Sequence, residues 1–397
     1  MRRIITLFLA NAVLSLHYFL LAYALSPYLA QLGLSDVQNG LVFSAAAVLM
    51  IVGFIAAPAV LTRISVRRAV SILAIADLLA LLALIAGAGP IVAVALIALQ
   101  SATVPLISYG LDLFLENATT DAGQTGHIRG VYLTAANIVL VASPIIVGII
   151  LDATNNYTLL FSVSAVIVAF FIFLLGTLKR FIVDEKISYA ASFTSVFNCL
   201  ARDREMRSVL ISNLILQSFY AWVGIYIPLY LHTVLGVSWE ALGPLFALML
   251  LPYLIIELPM GFIEDKVKGT RFIMVSGFII MALSLAAFSF VSAASNLAFV
   301  ITTLVLTRIG AALVEITAET SFFRDVSGSD IESVAFFRLT RPLGLLIGPM
   351  IGSLFLLLVP LQSLFIPLGI LCLFGIPFAL RIKDAATPVS TRICSVR

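Results

Sequence analysis

The chain has 397 residues, of which 62% are hydrophobic and 11% charged, with a formal net charge of +3. Its mean hydropathy of +1.15 is far above that of a water-soluble domain of this length, which excludes a soluble globular protein and predicts a chain that lies in lipid. The three cysteines, Cys199, Cys372 and Cys394, have neither disulfide nor metal-ligand spacing.

Apolar runs of about twenty residues, the length that crosses a bilayer, recur along the whole chain. The first run is too long for a signal peptide, and no cleavage site follows it. The predicted spans are 5–32, 37–60, 69–89, 91–115, 130–152, 157–178, 208–233, 241–263, 271–293, 296–318, 340–359 and 361–381. The predicted fold class is therefore all-α, a polytopic membrane protein with twelve transmembrane helices.

Basic residues occur in every second connector between these spans. The alternate connectors, near 33–36, 87–90, 152–157, 236–240, 292–296 and 360, contain no Lys or Arg. The positive-inside rule therefore predicts a multi-pass protein of the cell (cytoplasmic) membrane with both termini in the cytoplasm.

The two halves of the chain are similar when the second is shifted by 203 residues. The matching pairs are His17 with Tyr220, Gly33 with Gly236, Ser35 with Ser238, Gly40 with Gly243, Asp112 with Glu315 and Glu116 with Glu319. A repeat of this length predicts duplicated units. We expect an N-terminal six-helix bundle at 1–178, a cytoplasmic connector at 179–206, a C-terminal six-helix bundle at 207–382 and a cytoplasmic tail at 383–397.

The connector after the second span of each half carries a short charged motif. In the second half it reads Gly261-Phe-Ile-Glu-Asp265-Lys266-Val-Lys-Gly269-Thr-Arg271, whereas the first half keeps only the bases Arg63, Arg67 and Arg68. The motif resembles that of the major facilitator superfamily, and the resemblance covers essentially the whole chain. It implies two six-helix bundles (the MFS fold), a transporter rather than an enzyme, and no cofactor. Gly348-Pro349-Met350-Ile351-Gly352 also resembles an element of antiporters, but it does not by itself predict antiport.

Acids and bases in so tight a turn can pair with neighbouring helix ends, and such pairs can break when the two halves move. We therefore interpret this region as a gating latch, the alternative being ordinary interfacial charges. The predicted latch residues are Arg63, Arg67, Arg68, Asp112, Glu116, Gly261, Asp265, Lys266, Arg271, Glu315 and Glu319.

Charged side chains inside a membrane are expensive and should face a cavity or a partner. Arg308 lies halfway along the tenth span, where it is either a counter-ion for an anionic substrate or a structurally paired base. Asp77 lies in the third span without a local base. Burial would favour its protonated form, so we expect it to carry a coupling proton. Glu257 is a second proton-coupling candidate, although it is close enough to the cytoplasmic end to reach the interface.

Other polar side chains fall at membrane depth. His17 and Tyr220 stand at equivalent depths in the first and seventh spans, and family resemblance implies that these helices line the cavity. The predicted substrate-binding residues are His17, Tyr23, Gln100, Asn137, Gln217, Tyr220 and Arg308.

The sequence gives no sign of ATP hydrolysis or of a metal site. There is no phosphate-binding Gly-x-x-x-x-Gly-Lys-Ser/Thr loop, and the three histidines are far apart in the predicted topology. We therefore predict a secondary active transporter that works by alternating access between two six-helix halves and is coupled to protons. The alternatives are a transporter-like sensor and a protein acting on lipid substrates. Expected partners are a small-molecule substrate, protons and the lipid bilayer, with no nucleic acid and no metal, and the protein is expected to be a monomer.

Overall fold

The structure, a computed structural model, describes residues 2–61, 63–118, 125–154, 156–178, 203–263, 269–325 and 336–382. Throughout these ranges the regular elements are helical. The first half contains α1 (Arg2–Ala22), α2 (Leu25–Gln31), α3 (Asp36–Leu61), α4 (Val66–Ile85), α5 (Pro90–Ala118), α6 (Thr125–Thr154) and α7 (Tyr157–Leu178). The second half contains α8 (Arg204–Leu229), α9 (Trp239–Ile263), α10 (Thr270–Phe288), α11 (Leu297–Asp325), α12 (Thr340–Leu356), α13 (Phe365–Leu373) and α14 (Ile376–Ala379).

Within the described residues, eleven helical segments are long and apolar enough to cross a membrane. The twelfth, α6, has a shorter apolar stretch of 17 residues at Ala136–Asp152, which is at the lower limit for a membrane span. These segments follow the order of the twelve predicted spans. The prediction of an all-α polytopic membrane protein is confirmed.

Two of the spans predicted as single helices are interrupted, and a proline explains each interruption. A proline has no N–H to donate to the carbonyl four residues earlier, and its ring crowds that carbonyl. In the first span, α1 ends before Tyr23, the residue four positions ahead of Pro27. In the last span, α13 ends at Leu373, four positions ahead of Pro377. The first span therefore consists of two helices, and the last consists of a 3₁₀-helix at Leu361–Leu364 that continues into α13, followed by α14.

The turn after the first span illustrates how the sequence ends one helix and starts the next. Gly33 adopts φ 90°, a left-handed conformation that favours glycine. The N–H of Leu34 donates to the carbonyl of Leu29 at 3.2 Å, which closes the helix end. Ser35 and Gln38 then form a reciprocal capping box at the start of α3.

The same turn recurs in the second half, where Gly236 also has positive φ and the hydroxyl of Ser238 accepts from the N–H of Ala241. Gly236 and Ser238 are the repeat counterparts of Gly33 and Ser35. The repeated residues thus adopt the same backbone geometry in both halves.

The chain separates into two compact units. Unit 1 comprises Met1–Tyr189 and Ile227–Ala247, and unit 2 comprises Ala190–Tyr226 and Leu248–Arg397. In unit 1, α1 packs against α5, α6 and α7, and α4 packs against α5 and α7. In unit 2, α10 packs between α11 and α13. The first helix of unit 1 therefore lies at the centre of several neighbours, where a polar side chain on it can meet others.

Inside unit 1, α6 and the first turns of α9 meet at two glycines. A Cβ on Gly243 would lie 2.8 Å from the carbonyl oxygen of Pro144, and one on Gly148 would lie 2.6 Å from that of Trp239. Side chains larger than hydrogen therefore have no room at this crossing. Small residues of this kind allow membrane helices to approach closely.

Candidate functional site

A buried polar cluster surrounds His17 in the middle of α1. The imidazole Nε2 lies 2.9 Å from the carboxylate Oδ2 of Asp77 on α4, and both side chains are fully buried. On the other side of the ring, Nδ1 lies 2.7 Å from the hydroxyl of Ser164 on α7. The amide nitrogen of Gln100 on α5 lies 3.3 Å from Nε2. Four helices thus contribute one polar side chain each.

The expectation that Asp77 has no nearby base was wrong. The base comes from α1 rather than from its own helix, because α1 packs in the interior of unit 1 beside the helices that carry the other members of the cluster. The hydroxyl of Thr103 on α5 also donates to Asp77 Oδ1 at 3.4 Å. A buried carboxylate in this setting has both an ion-pair partner and a hydrogen-bond donor, as burial of charge requires.

The geometry gives His17 Nε2 two mutually exclusive partners. When Nε2 carries a proton, the imidazolium forms an ion pair with the carboxylate of Asp77 at 2.9 Å, although Asp77 Oδ2 accepts no well-aligned hydrogen bond from the described residues. When Nε2 carries no proton, its lone pair can accept from the amide of Gln100, because an imidazole nitrogen is either a donor or an acceptor. Ser164 can serve Nδ1 in either role, since a hydroxyl both donates and accepts. Each ring nitrogen of His17 therefore has a polar neighbour in either tautomer of the imidazole.

A second polar cluster lies in unit 2 around Tyr220 on α8. Its hydroxyl donates a short hydrogen bond to the carboxylate of Glu315 on α11. The guanidinium of Arg308, also on α11, lies 5.7 Å from the ring centre of Tyr220 and 5.9 Å from that of Tyr253 on α9. At these distances the cation interacts with both aromatic faces. Arg308 is only 4% exposed, and its charge also acts on Glu315.

The two clusters share a pattern that follows the repeat. His17 and Tyr220 occupy equivalent positions in the two halves, and each contacts a carboxylate within its own unit. The carboxylates themselves come from different helices, α4 for Asp77 and α11 for Glu315. The duplicated scaffold thus carries two related but chemically distinct polar centres, a histidine–carboxylate pair in unit 1 and an arginine beside two tyrosines in unit 2.

A face of three glycines on α12 packs against α8 in unit 2. Gly344, Gly348 and Gly352 are spaced four residues apart, so they line one side of the helix. A Cβ on Gly344 would lie 2.6 Å from the backbone carbon of Gln217, and one on Gly352 would lie 2.5 Å from the ring of Tyr226.

Two hydrogen bonds complete this helix contact. Trp222 donates its indole N–H to the carbonyl of Gly348 at 2.6 Å, and Tyr226 donates its hydroxyl to that of Pro349 at 3.0 Å. The Gly-Pro-x-x-Gly element therefore has a packing role in unit 2.

The other predicted substrate-binding residues fall in separate surroundings. Tyr23 lies at the break between α1 and α2, where it is buried and its ring stacks on Phe246 at 5.2 Å. Gln217 is half-buried on α8, and its amide nitrogen lies 3.5 Å from the side-chain oxygen of Asn213. Asn137 is half-buried on α6. Of the predicted substrate-binding residues, His17 and Gln100 meet in the cluster of unit 1. Tyr220 and Arg308 meet in the cluster of unit 2.

The predicted latch residues are partly described. Arg63 and Arg68 are exposed, and Arg67 and Asp112 are half-buried. Arg271 donates from Nε to the carbonyl of Ile382 at 3.2 Å, which joins the start of α10 to the end of the last span.

In the second half, Glu319 is exposed, while Glu315 belongs to the Tyr220 cluster. Asp265 and Lys266 lie outside the described residues. The side chains of Glu116 and Glu257, and the surroundings of Gly261, also lie outside the described part.

Some members of the two clusters were not singled out in the sequence. Ser164 and Thr103 are the clearest cases, because Ser and Thr recur in membrane helices and usually bond to their own backbone. Tyr253 likewise gave no distinguishing signal. All three become meaningful only once the packing brings them beside His17, Asp77 or Arg308.

Comparisons with known proteins identify the family. The family model described as Major Facilitator Superfamily matches residues 7–330. The nucleoside transporter NupG has a similar structure, with a TM-score of 0.76 and 14% identity over 96% of this chain and 100% of that one. A POT family transporter solved in complex with 5-aminolevulinic acid has a TM-score of 0.78 and 13% identity, covering 95% of each chain. A search of curated proteins gave no match.

The family match covers well over half of the chain, and the structural matches show the same fold over nearly all of it. The resemblance inferred from the connector motif is confirmed. The chain is a multi-pass membrane transporter of small molecules rather than an enzyme, and it belongs to the Major Facilitator Superfamily.

Proposed function

We propose that this protein is a proton-coupled secondary active transporter that works by alternating access of its two halves. Membership of the superfamily supports transport, and the buried pair of His17 and Asp77 is the observation that supports proton coupling. The segregation of basic residues supports a cytoplasmic membrane location with both termini inside. Energy comes from the proton gradient in this proposal.

The coupling proton resides on the His17–Asp77 pair. A buried ion pair is costly to hold in an apolar medium, because desolvation of two charges opposes their attraction. When Nε2 loses its proton, Gln100 can donate to that nitrogen, and Thr103 is then the hydrogen-bond donor to Asp77. Solute movement and proton movement are coupled if the two protonation states favour different conformations of the transporter.

The solute carries an anionic group that interacts with Arg308. A buried guanidinium beside two tyrosine rings is weakly hydrated and restricted in orientation, both of which favour recognition of a carboxylate or phosphate. The similar structures include a nucleoside transporter and a transporter bound to 5-aminolevulinic acid. A panel of amino-carboxylates, simple carboxylates, nucleosides and nucleotides therefore covers the relevant chemistry.

Binding is tested first, by thermal stabilisation of the purified full chain with this panel. We expect stabilisation by an anionic solute, and we expect Arg308→Gln to weaken it about tenfold or more, as truncating a buried charged hydrogen-bonding group does. Arg207→Gln, at an exposed arginine of α8, is the matched control and should leave binding unchanged. Stabilisation only by uncharged solutes would overturn the anionic assignment.

Coupling is tested in proteoliposomes with the solute found above. Asp77→Asn should abolish uphill uptake driven by a pH gradient but retain exchange of labelled for unlabelled solute, because exchange needs no net proton movement. Asp36→Asn removes a carboxylate at the start of α3, outside the cluster, and should leave both activities intact. Full gradient-driven uptake by Asp77→Asn would refute the proton site. Binding without exchange in the wild-type protein would instead identify a sensor.

A further inference from the structure

An apolar groove runs between α3, α4 and α5 in unit 1, apart from both polar clusters. Its volume is about 220 Å³. Its lining includes Gly53, Ala57, Val60, Ile64, Ala69 and Leu73. An apolar cavity of about 150 Å³ stays free of water and binds a benzene-sized molecule. The groove is therefore large enough for part of a hydrocarbon chain and too apolar to hold ordered water.

The groove is accessible from the side of the helices rather than enclosed within the unit. Val60 on α3 is 40% exposed and Ile72 on α4 is 58% exposed, and both line it. Apolar side chains exposed at this depth of a membrane protein face lipid. The groove therefore opens to the acyl chains of the bilayer.

The groove is nearly as long as one leaflet is thick. Ile64 lies in the turn between α3 and α4, and Gly53 precedes it by eleven residues. Because α3 ends at Leu61, the helical part from Gly53 to Leu61 covers about 12 Å, somewhat less than half of the ~30 Å hydrocarbon core. This length is most of the thickness of one leaflet, so the groove can hold a large part of one acyl chain.

The end of the groove at the α3–α4 turn is positively charged. Arg63 and Arg68 flank Ile64 in sequence, and both are exposed, whereas Asp112 at the same end of α5 is half-buried. Exposed juxtamembrane arginines each contribute about 1 kcal/mol of attraction to anionic lipid. We propose that this groove binds one acyl chain of an anionic phospholipid, whose headgroup interacts with Arg63 and Arg68.

The two parts of the proposed site are tested separately, by native mass spectrometry of the delipidated full chain titrated with phosphatidylglycerol or phosphatidylcholine. We expect one tightly held lipid and at least fivefold tighter binding of phosphatidylglycerol. Arg63→Gln combined with Arg68→Gln should remove this preference while leaving phosphatidylcholine binding unchanged. Arg204→Gln combined with Arg207→Gln removes two exposed arginines of α8 and is the matched control.

The acyl-chain part is tested by filling the groove. Ala57→Leu and Ala69→Leu, separately and together, should weaken retention of both lipids at least fivefold. Ala95→Leu, at an exposed alanine of α5 outside the groove, should not. Equal retention by the filled and control variants would overturn the proposal. So would competition by glycerol phosphate, which has the charged headgroup chemistry but no acyl chain.

Discussion

Replacing the His17–Asp77 pair by apolar residues should be far less harmful to stability than breaking it. Both side chains are fully buried and their charged atoms are 2.9 Å apart. His17→Leu leaves Asp77 without its base, and Asp77→Val leaves His17 without its acceptor, so each should cost about 2–3 kcal/mol of unfolding free energy. The double variant should cost about 1 kcal/mol, because Ser164 and Gln100 then lack partners but no buried charge remains.

The sum of the two single costs thus exceeds the cost of the double variant by about 3–5 kcal/mol. This difference is the coupling energy of the pair, and it is at or somewhat above the upper end of the values measured for contacting residues. The measurement is denaturant unfolding of the wild-type, single and double variants in detergent. A control cycle pairs Asp77→Val with Tyr226→Phe in unit 2, where we expect additivity within about 0.5 kcal/mol. If the His17 and Asp77 costs also add, the pair contributes no interaction and the proposed proton site loses its structural basis. The double variant, though stable, should not couple transport to protons.

Three further outcomes follow from the helix contacts and the second cluster. Gly243→Leu should cost about 1–3 kcal/mol and reduce uptake at least tenfold, because its side chain meets the backbone at Pro144, whereas Gly176→Leu has open space and should be neutral in the same assays. Gly344→Ala should lower stability on thermal unfolding by about 1–3 kcal/mol, whereas Gly224→Ala should not. Tyr220→Phe should weaken solute binding about fivefold to thirtyfold in calorimetry, since Glu315 loses a donor.

The positions of the spans could be predicted because the bilayer imposes a minimum apolar length on each helix. The interruptions could not be predicted as reliably. Pro27 and Pro377 each coincide with a break four residues earlier, but Pro105, Pro144 and Pro349 lie inside continuous helices. The freed carbonyl of a proline can be satisfied by neighbouring groups, so the outcome depends on packing that the local sequence does not contain.

The candidate site shows the same division between local and tertiary information. Mid-membrane position alone marked His17, Asp77, Tyr220 and Arg308 as costly residues that need partners. It did not indicate which of them are partners, since the contacts of His17 lie on three other helices. The repeat offset matched His17 with Tyr220 but could not show that their carboxylate partners come from non-equivalent helices.

The different partners explain how a duplicated scaffold can serve two tasks. If both halves had kept the same polar centre, each would bind the same species, and neither the solute nor the proton would have a preferred half. In the proposed mechanism the first centre, a base–acid pair, takes the proton, and the second, a cation beside two tyrosine rings, takes the anion. Coupling then requires that occupancy of one centre change the conformational preference set by the other. We expect added bulk at the helix crossings of Gly243 and Gly344 to alter that preference, because a Cβ on either glycine would lie less than 3 Å from the backbone of the facing helix.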